Sequence, residues 1–312
     1  MARSEAPAPS TPLRSLGRTL LALFIVAGPT SLAAQDGFAR LGREVPTSTR
    51  AMALGGAYMM NGDQPDAVFQ HPELLLAAEG MSLDLQRWGS EGSATAASAA
   101  TSWFGGDVGV GIGLQTIQHT RSSVDGGDVP FPQDPLFVGG GAAVSERITS
   151  VGMARGMGDI AWGLALRVSE VRVAGVGNDA ELGLAFGASR EVGPVTVGVA
   201  YRDILRSVSD LTVGVGSYGW ELGFLDVGVA ARLEGFDEDL RYGGGLELGY
   251  WPIRGRTFVA RVGAQNVPDD SEARPITLGF AYWGDSLVLE WGYQPFDGAP
   301  ESGTHRFSIG WR

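Results

Sequence analysis

The sequence ends on THRFSIGWR (304–312), in which apolar and polar residues alternate with a period of two. Phe307, Ile309 and Trp311 are the apolar members, and charged or small residues separate them. Because successive side chains of a strand point to opposite sides, this period indicates a β-strand with one apolar and one polar face. The chain therefore ends on a strand whose apolar face needs apolar surroundings.

The same alternation recurs from residue 81 almost to the end of the chain. It predicts an all-β fold of about fourteen strands, at residues 81–89, 94–104, 107–118, 140–155, 159–173, 179–190, 194–206, 210–217, 224–233, 240–251, 256–266, 274–283, 286–295 and 304–312. The fourth segment could instead hold a strand plus an ordered loop, and the connection at 218–223 fits no simple turn.

The connections between these strands fall into two alternating sets. One set is short, as in GG (105–106) and GD (284–285), and the other is longer and often acidic, as in EGFDED (234–239) and FDGAPESG (296–303). Strands of about ten residues with short turns on one side and long loops on the other are typical of an antiparallel transmembrane β-barrel of the bacterial outer membrane.

Water-soluble alternatives fit the pattern less well. A β-sandwich rarely needs fourteen strands, a propeller would show a repeat of blade length, and fourteen apolar outer faces would far exceed a normal exposed patch. Lipid favours such faces, and closure of the sheet satisfies every backbone group. Several aromatic residues near strand ends fit interfacial girdles: Trp88, Trp103, Tyr201, Tyr250, Trp251, Trp283 and Trp311.

Composition agrees with a barrel and excludes several other classes. The chain has 48 Gly in 312 residues, about twice the usual share of ~7%, and many lie at polar-side strand positions, where they keep an inner wall thin. A formal charge of −12 argues against nucleic-acid binding. The absence of Cys excludes disulfides and thiol chemistry.

The first residues predict export. Arg14 and Arg18 precede the apolar run LLALFIVAG (20–28), and small residues follow, so residues 1–34 are predicted to be a secretory signal peptide cleaved near Ala33 or Ala34. The apolar run is too short to span a bilayer as a helix. Residues 35–80 lack the alternation and are predicted to form an N-terminal plug, or hatch, in a barrel of residues 81–312.

Several residues in this region resemble the PorV/PorQ branch of the FadL-like outer-membrane proteins. The resemblance rests on Arg50, Met52, Gly55-Gly56-Ala57-Tyr58 and His71-Pro72-Glu73-Leu74, and later on Arg241–Gly245, Arg261, Gly263 and Thr304–Ser308. The sequence departs from the family pattern in two places. Either Ala53-Leu54 are inserted between Met52 and the paired glycines or Met52 is not the family's Met, and His71 and Glu73 replace the family's Asn and Ala.

The resemblance implies a fourteen-stranded barrel with an internal N-terminal hatch and no enzymatic activity. It also implies protein secretion or cargo docking of the type IX kind, or alternatively uptake of hydrophobic small molecules as in FadL. A sealed structural barrel is a third possibility. The implied partners are outer-membrane lipid, the barrel assembly machinery, which would recognise Phe307, Ile309 and Trp311, and a secreted cargo protein or a hydrophobic solute. No cofactor or metal is expected.

The alternation also places charged residues on the inner face. This predicted lumenal charge network has six positive and four negative members, Arg167, Glu181, Arg202, Asp226, Arg232, Arg241, Glu247, Arg261, Glu290 and Arg306. It could form a translocation path or a salt-bridge network, and the near balance of charge favours the network. Met59, Met60, Val68 and Phe69 are candidate linings of an apolar pocket, or plug core. The three histidines lack a nucleophile or ligand spacing nearby.

Overall fold

The computed structural model describes residues 45–88, 92–121, 142–173, 177–204, 210–236, 239–253, 255–267, 273–296 and 303–312. The predicted signal peptide (1–34), the first part of the predicted plug (35–44) and residues 122–141, which include most of the connection between the third and fourth predicted strands, lie outside these residues. Among the helices in the described ranges, none is long and apolar enough to cross a membrane.

The described residues form fourteen β-strands, one α-helix and three 3-10 helices. α1 is Thr49–Ala53, and the 3-10 helices are Pro65–Phe69, Pro72–Leu76 and Phe104–Gly106. The strands are β1 (Gly80–Trp88), β2 (Gly92–Trp103), β3 (Val108–Arg121), β4 (Ala142–Met157), β5 (Ile160–Val173), β6 (Gly177–Val192), β7 (Val195–Arg202), β8 (Asp210–Leu222), β9 (Leu225–Phe236), β10 (Asp239–Ile253), β11 (Arg256–Gln265), β12 (Ile276–Trp283), β13 (Leu287–Gln294) and β14 (Thr304–Trp311).

These strands close into one antiparallel barrel. Each strand pairs with its neighbour in sequence, and β1 pairs with β14. Eight residue pairs join the closing strands, from Met81 opposite Trp311 to Trp88 opposite Thr304. The prediction of a fourteen-stranded antiparallel barrel is therefore confirmed, and the terminal strand closes it. Closure leaves no sheet edge with unpaired backbone groups, which is the condition for a sheet in lipid.

The two faces of the barrel differ in the way that the alternation predicts. On β7, Val197, Val199 and Tyr201 are 38–39% exposed on the outer face, while Thr196, Ala200 and Arg202 are buried on the inner face. Large exposed apolar side chains follow the same parity on the other strands. An outer surface of this kind is costly in water and favourable in a bilayer.

The ends of the barrel are also asymmetric. Turns such as Gly158-Asp159 and Gly193-Pro194 are tight, and both glycines have positive φ. β8 continues beyond the predicted end at residue 217, because an irregularity in its pairing with β9 between Ser217 and Trp220 lets the strand reach Leu222. This irregularity accounts for the connection at 218–223 that the sequence could not place.

One predicted girdle residue is placed differently. Trp283 lies at an inward position of β12, where its ring faces Arg50 and Arg261 at 5.1 and 5.6 Å. The prediction that Trp283 belongs to an interfacial girdle is therefore wrong. Trp103, Trp251 and Trp311 are 44–57% exposed on the outside, as a girdle requires. Of the other predicted girdle residues, Tyr201 and Tyr250 are exposed, and the Trp88 side chain lies outside the described part.

The outer face of β14 provides a stability test. Phe307 lies near the middle of the strand, opposite Leu85 of β1 and Trp291 of β13. We expect Phe307→Arg to lower the free energy of unfolding in lipid vesicles by about 2–4 kcal/mol, because a cation near the bilayer midplane is poorly solvated. Urea titration would measure the change, with Phe307→Leu as the control. Equal effects of the two substitutions would contradict a lipid-facing position.

Candidate functional site

Residues 45–79, called the N-terminal segment below, pack against the inner face of the barrel. The Ser48 hydroxyl accepts a hydrogen bond from the Ala51 N–H at 3.2 Å and caps α1. The two 3-10 helices of the segment each begin with proline, Pro65 and Pro72, which has the backbone angle that a first helical position requires. The segment is therefore folded into three short turns of helix by local signals.

The paired glycines that carry the family resemblance end α1. Gly55 and Gly56 have φ of +66° and +78°, a region that L residues with side chains avoid. A Cβ on Gly55 would also overlap the Ala264 carbonyl, and a Cβ on Gly56 would overlap the Arg232 guanidinium. The pair thus lets the chain reverse while it contacts the barrel wall.

Glycines at inward positions of the strands leave space for the N-terminal segment. At several inward positions a Cβ would overlap atoms of the segment, and the overlapping pairs include Gly113 with Phe69, Gly163 with Pro72, Gly198 with Met60, Gly263 with Gly55, and Gly279 with Ala53. These pairs lie on β3, β5, β7, β11 and β12, so the segment contacts the wall on widely separated strands. Absence of side chains at these positions makes the close approach of backbone to backbone possible.

Arg50 holds α1 to the wall through a buried ion pair. Its Nε and Nη2 donate to the two carboxylate oxygens of Glu247 on β10 at 2.9 and 2.7 Å. Arg261 donates to Glu247 at 2.6 Å and to Glu290 at 2.8 Å. Burial alone would lower the pKa of Arg50, but the Glu247 carboxylate raises it above its ordinary value. The network is therefore charged, and it links the segment to three strands.

Arg306 on β14, the strand next to that of Glu290, makes a second attachment. Its guanidinium donates to the backbone carbonyls of Pro46 and Thr47, to Gln86 at 2.7 Å and to Asp84 at 3.3 Å. The Asp84 carboxylate also accepts a hydrogen bond from the Thr49 hydroxyl at 2.8 Å. Arg306 is 1% exposed, so these bonds fix the start of the segment beside β1 and β14.

Three further arginines make polar contacts at the wall. Arg167 donates to the Phe69 carbonyl at 2.6 Å and lies 3.5 Å from the Asp203 carboxylate. Arg202 pairs with Glu234, which also accepts from Arg232 at 2.7 Å. Each cation is therefore matched by a carboxylate close by.

The predicted charge network is thus placed on the inner face, in separate groups. Arg261, Glu247 and Glu290 form one group and Arg202 and Arg232 form another, whereas Arg167 and Arg306 bind the segment separately. Glu181, Asp226 and Arg241 also have inward parity. The arrangement is a set of structural ion pairs, which favours the salt-bridge interpretation over a continuous charged path.

The four predicted pocket residues do not form one pocket. Met59 packs with Leu54 and Ala57, Met60 packs with Tyr58 and Leu74, and Val68 and Phe69 belong to a third cluster with Leu75 and Ile148. All four are at most 3% exposed. Within the described residues, Met59 and Met60 are therefore core of the segment, and only Val68 and Phe69 meet a large apolar residue of the wall.

The wall carries an apolar surface that the sequence reading missed. We call it the apolar wall patch, and it consists of Ile117, Val144, Ile148, Val171 and Val173 on β3, β4 and β5, each at most 8% exposed. Val144, Val171 and Val173 form one cluster, Ile117 and Ile148 pack with residues of the N-terminal segment, and the buried Glu146 lies between Ile117 and Val171. The patch lies in the half of the barrel nearer the long loops, where other described inward residues, such as Gln86, Glu234 and Arg306, are polar or charged. Strand parity could have revealed it, since these residues share the inward phase.

His71 and Glu73, which both depart from the family pattern, contact each other. His71 Nδ1 lies 3.0 Å from the Glu73 carboxylate, and the His71 ring lies 5.0 Å from the ring of Tyr58, whose hydroxyl meets Thr47 at 2.9 Å. Burial raises the pKa of Tyr58 well above its usual range, and the nearby Asp66 carboxyl adds to this. The residues that replace Asn and Ala thus form a buried polar contact inside the segment.

Asp66 is a buried carboxyl that composition alone would not single out. It is 4% exposed, and within the described chain its Oδ1 has no hydrogen-bond partner. Burial raises the pKa of Asp66 well above its usual range, and Asp84 adds to the effect. Asp66 borders a cleft of about 30 Å³ at the short-turn end of the barrel, which has room for water but not for a ligand of ordinary size.

Comparison with known proteins identifies the fold class. No protein-family model and no curated protein matches the sequence. Among solved structures, the chain is similar to a Pseudomonas aeruginosa FadL homologue (TM-score 0.56, 10% identity, 85% of this chain and 98% of that chain). It is also similar to the Pseudomonas putida toluene transporter TodX (0.55, 10%, 85% and 96%) and to the monoaromatic hydrocarbon channel CymD (0.56, 11%, 85% and 96%).

The fold is therefore that of the FadL-type outer-membrane barrels. At 10–11% identity these likenesses concern the fold alone. They support the FadL-like part of the resemblance, and the named neighbours are transport proteins rather than enzymes. The narrower PorV/PorQ assignment stays a prediction.

The Arg50 ion pair can be tested against an exposed pair. We expect Arg50→Met to lower the free energy of unfolding by about 3 kcal/mol, because it leaves the Glu247 carboxylate buried with one fewer cation. The control is Arg190→Met, since Arg190 and its partner Asp159 are 59% and 62% exposed and an exposed pair contributes only about 0–1 kcal/mol. Denaturant titration of both variants would measure this, and equal losses would contradict the role assigned to Arg50.

Asp66 predicts a specific dependence of stability on pH. A folded-state pKa raised above the ordinary 3.8 means that the folded protein binds this proton more tightly than the unfolded chain. The stability that Asp66 contributes is therefore lost as the pH rises from about 4 through the folded-state pKa. We expect Asp66→Asn to match the wild type at about pH 4 and to be more stable at about pH 7.5.

Unfolding midpoints at the two pH values would measure this difference. Asp63→Asn, at a side chain that is 44% exposed, controls for the loss of any carboxylate from the same segment. A difference in unfolding midpoint between the wild type and Asp66→Asn that becomes smaller as the pH rises would contradict a raised pKa of Asp66.

Proposed function

We propose that this protein is an outer-membrane channel for the uptake of hydrophobic small molecules. The observation that carries the proposal is the apolar wall patch. Val144, Val171 and Val173 of this patch form a cluster that includes no described residue of the N-terminal segment, so packing of the segment does not explain them. Apolar surfaces with a few polar groups, here the buried Glu146 beside Val171, are typical of ligand sites. The place of the three valines near the long loops puts them where a solute from outside would arrive.

The N-terminal segment fits the role of a plug beneath this patch. Val45 packs with Ala94 and Ile117, and Val68, Phe69 and Leu75 pack with Ile148. A solute on the patch would therefore touch the apolar side of the segment. Arg50, Arg167 and Arg306 hold the segment by hydrogen bonds and ion pairs, which can break and reform in water more readily than a covalent link.

The fold likeness adds support of a limited kind. TodX is a toluene transporter and CymD a monoaromatic hydrocarbon channel, and in both the same architecture serves small apolar molecules. Export by a signal peptide (1–34), cleavage near Ala33 or Ala34, and recognition of Phe307, Ile309 and Trp311 by the assembly machinery are parts of the same proposal. The secretion role would use outer loops, of which the longest lies outside the described residues.

Uptake of p-xylene by bacterial cells that express the barrel tests the proposal. We expect Val144→Thr combined with Val171→Thr to reduce uptake about tenfold, because each substitution keeps the shape and adds a hydroxyl that an apolar solute cannot satisfy. The control combines Val259→Thr with Val288→Thr, which make the same change on the inner face near the short turns.

Two results would contradict the proposal. One is p-xylene uptake equal to that of cells without the barrel, and the other is an equal loss in the patch variant and the control variant. Native mass spectrometry of the protein extracted from its own membrane adds a second measurement. A bound apolar molecule would support uptake, whereas a co-extracted secreted protein with no small molecule would support the secretion role instead.

A further inference from the structure

Two polar side chains of the inner wall are buried without a partner. Gln115 on β3 is 0% exposed and Ser150 on β4 is 1% exposed. Neither the amide oxygen and nitrogen of Gln115 nor the hydroxyl of Ser150 has a hydrogen-bond partner in the described part of the chain. A buried polar group left unpaired costs about 1–3 kcal/mol, and native structures retain few of them.

These two side chains lie together, beside the apolar wall patch. Ser150 is opposite Gly113, and Gln115 is opposite Ile148. The two residues are therefore diagonal neighbours on one face, about 7–8 Å apart. The Phe69 ring occupies the space at Gly113, so it reaches the wall beside both polar groups. The side chains of Gln115 and Ser150 thus form a small polar site where the patch meets the N-terminal segment.

Local packing does not require polar residues at these positions. The residue opposite Gln115 on β2 is Ala96, and the inward neighbours of Ser150 on its own strand are Ile148 and Gly152. An apolar side chain of similar size would fill either place without an unpaired donor or acceptor. Their presence is explained if the missing partner is a molecule that comes and goes.

The nearby charges indicate what kind of polar group would bind. Arg167, opposite Ser150, already donates to the Phe69 carbonyl and faces the Asp203 carboxylate. A carboxylate ligand at Ser150 would therefore find the charge of Arg167 already matched by the Asp203 carboxylate. A neutral hydroxyl or carbonyl group needs no cation.

We propose that Gln115 and Ser150 hold the polar group of the transported solute, which is a hydrophobic molecule with one uncharged hydroxyl or carbonyl group. This inference rests on the proposed uptake function and narrows its substrate class. The apolar body of the solute would lie on Ile117, Ile148 and Phe69. Its hydroxyl would donate to the Gln115 amide oxygen or accept from the Ser150 hydroxyl.

Three probes of one shape test the substrate class. p-Xylene, p-cresol and p-toluate share a ring and differ in one substituent, which is a methyl, a hydroxyl or a carboxylate group. Equilibrium binding to the full chain in nanodiscs, with empty nanodiscs subtracted, would give a dissociation constant for each. We expect p-cresol to bind about tenfold more tightly than p-xylene, and p-toluate to bind most weakly.

Two variants separate this role from a structural one. Gln115→Leu with Ser150→Ala should bring the p-cresol affinity down to that of p-xylene, while p-xylene binding changes less than about twofold. The control is Gln118→Leu, the same change at an exposed position of β3, which should keep the preference. Because the two groups have no partner in the described part of the chain, the double variant should be at least as resistant to denaturant as the control.

The outcomes distinguish the two proposals. If p-xylene binds as tightly as p-cresol, or p-toluate binds best, the substrate class is wrong and the uptake function stands; a buried water on Gln115 would produce the first of these results. If none of the probes binds the wild type, the uptake function fails and the narrower inference fails with it. If the double variant is clearly less stable than the control, Gln115 or Ser150 has a structural partner, which also overturns the inference.

Discussion

The pairing of β1 with β14 is the constraint on which the rest of the structure depends. Backbone N–H and C=O groups cannot be left unpaired in a bilayer, so a sheet in lipid must have no edge. The eight residue pairs between the two terminal strands satisfy this condition. Once the sheet is closed, strand parity assigns every side chain to lipid or to the interior, and the chemistry of the interior becomes independent of the apolar outer surface.

Closure creates an interior that the chain must fill. Many inward positions are glycine, and the N-terminal segment takes the space that side chains would otherwise occupy. Close contact between the segment and the wall would bury backbone carbonyl groups of the segment. Arginines of the wall donate hydrogen bonds to three of them, the carbonyls of Pro46, Thr47 and Phe69. The glycine excess and the buried arginines are therefore two parts of one packing solution.

The candidate site lies where inner-wall residues do not serve to attach the N-terminal segment. In ion pairs such as Arg50–Glu247, the charge of each member is neutralised by its partner. Such pairs hold the segment and leave no charge for a ligand to bind. The apolar wall patch differs because its Val144, Val171 and Val173 pack with one another and with no described residue of the segment. Gln115 and Ser150, which have no hydrogen-bond partner within the described residues, lie at its margin, and the buried Glu146 lies within it. The proposed solute site rests on these features.

Much of the site could be inferred from alternation, and the failures have specific causes. Parity placed Arg261, Glu247 and Arg306 on the inner face, and the same parity applied to aliphatic residues would have found Ile148 and Val171. Trp283 was assigned to a girdle because aromatic residues near strand ends are common there, whereas its inward phase decided its position. Met59 and Met60 were grouped with Phe69 by closeness in sequence, although short helical turns send them into different clusters.

The sequence by itself determined the strands, their two faces and the closed antiparallel order, because period-two alternation and loop lengths are local properties of the chain. Tertiary structure alone decided which residues meet across the interior. Arg50 and Glu247 are far apart in sequence, as are Phe69 and Gly113, and only closure of the sheet around the N-terminal segment fixes which strand faces which turn. Which side chains meet across the interior of a barrel depends on strand register and sheet curvature, and local sequence patterns do not determine either.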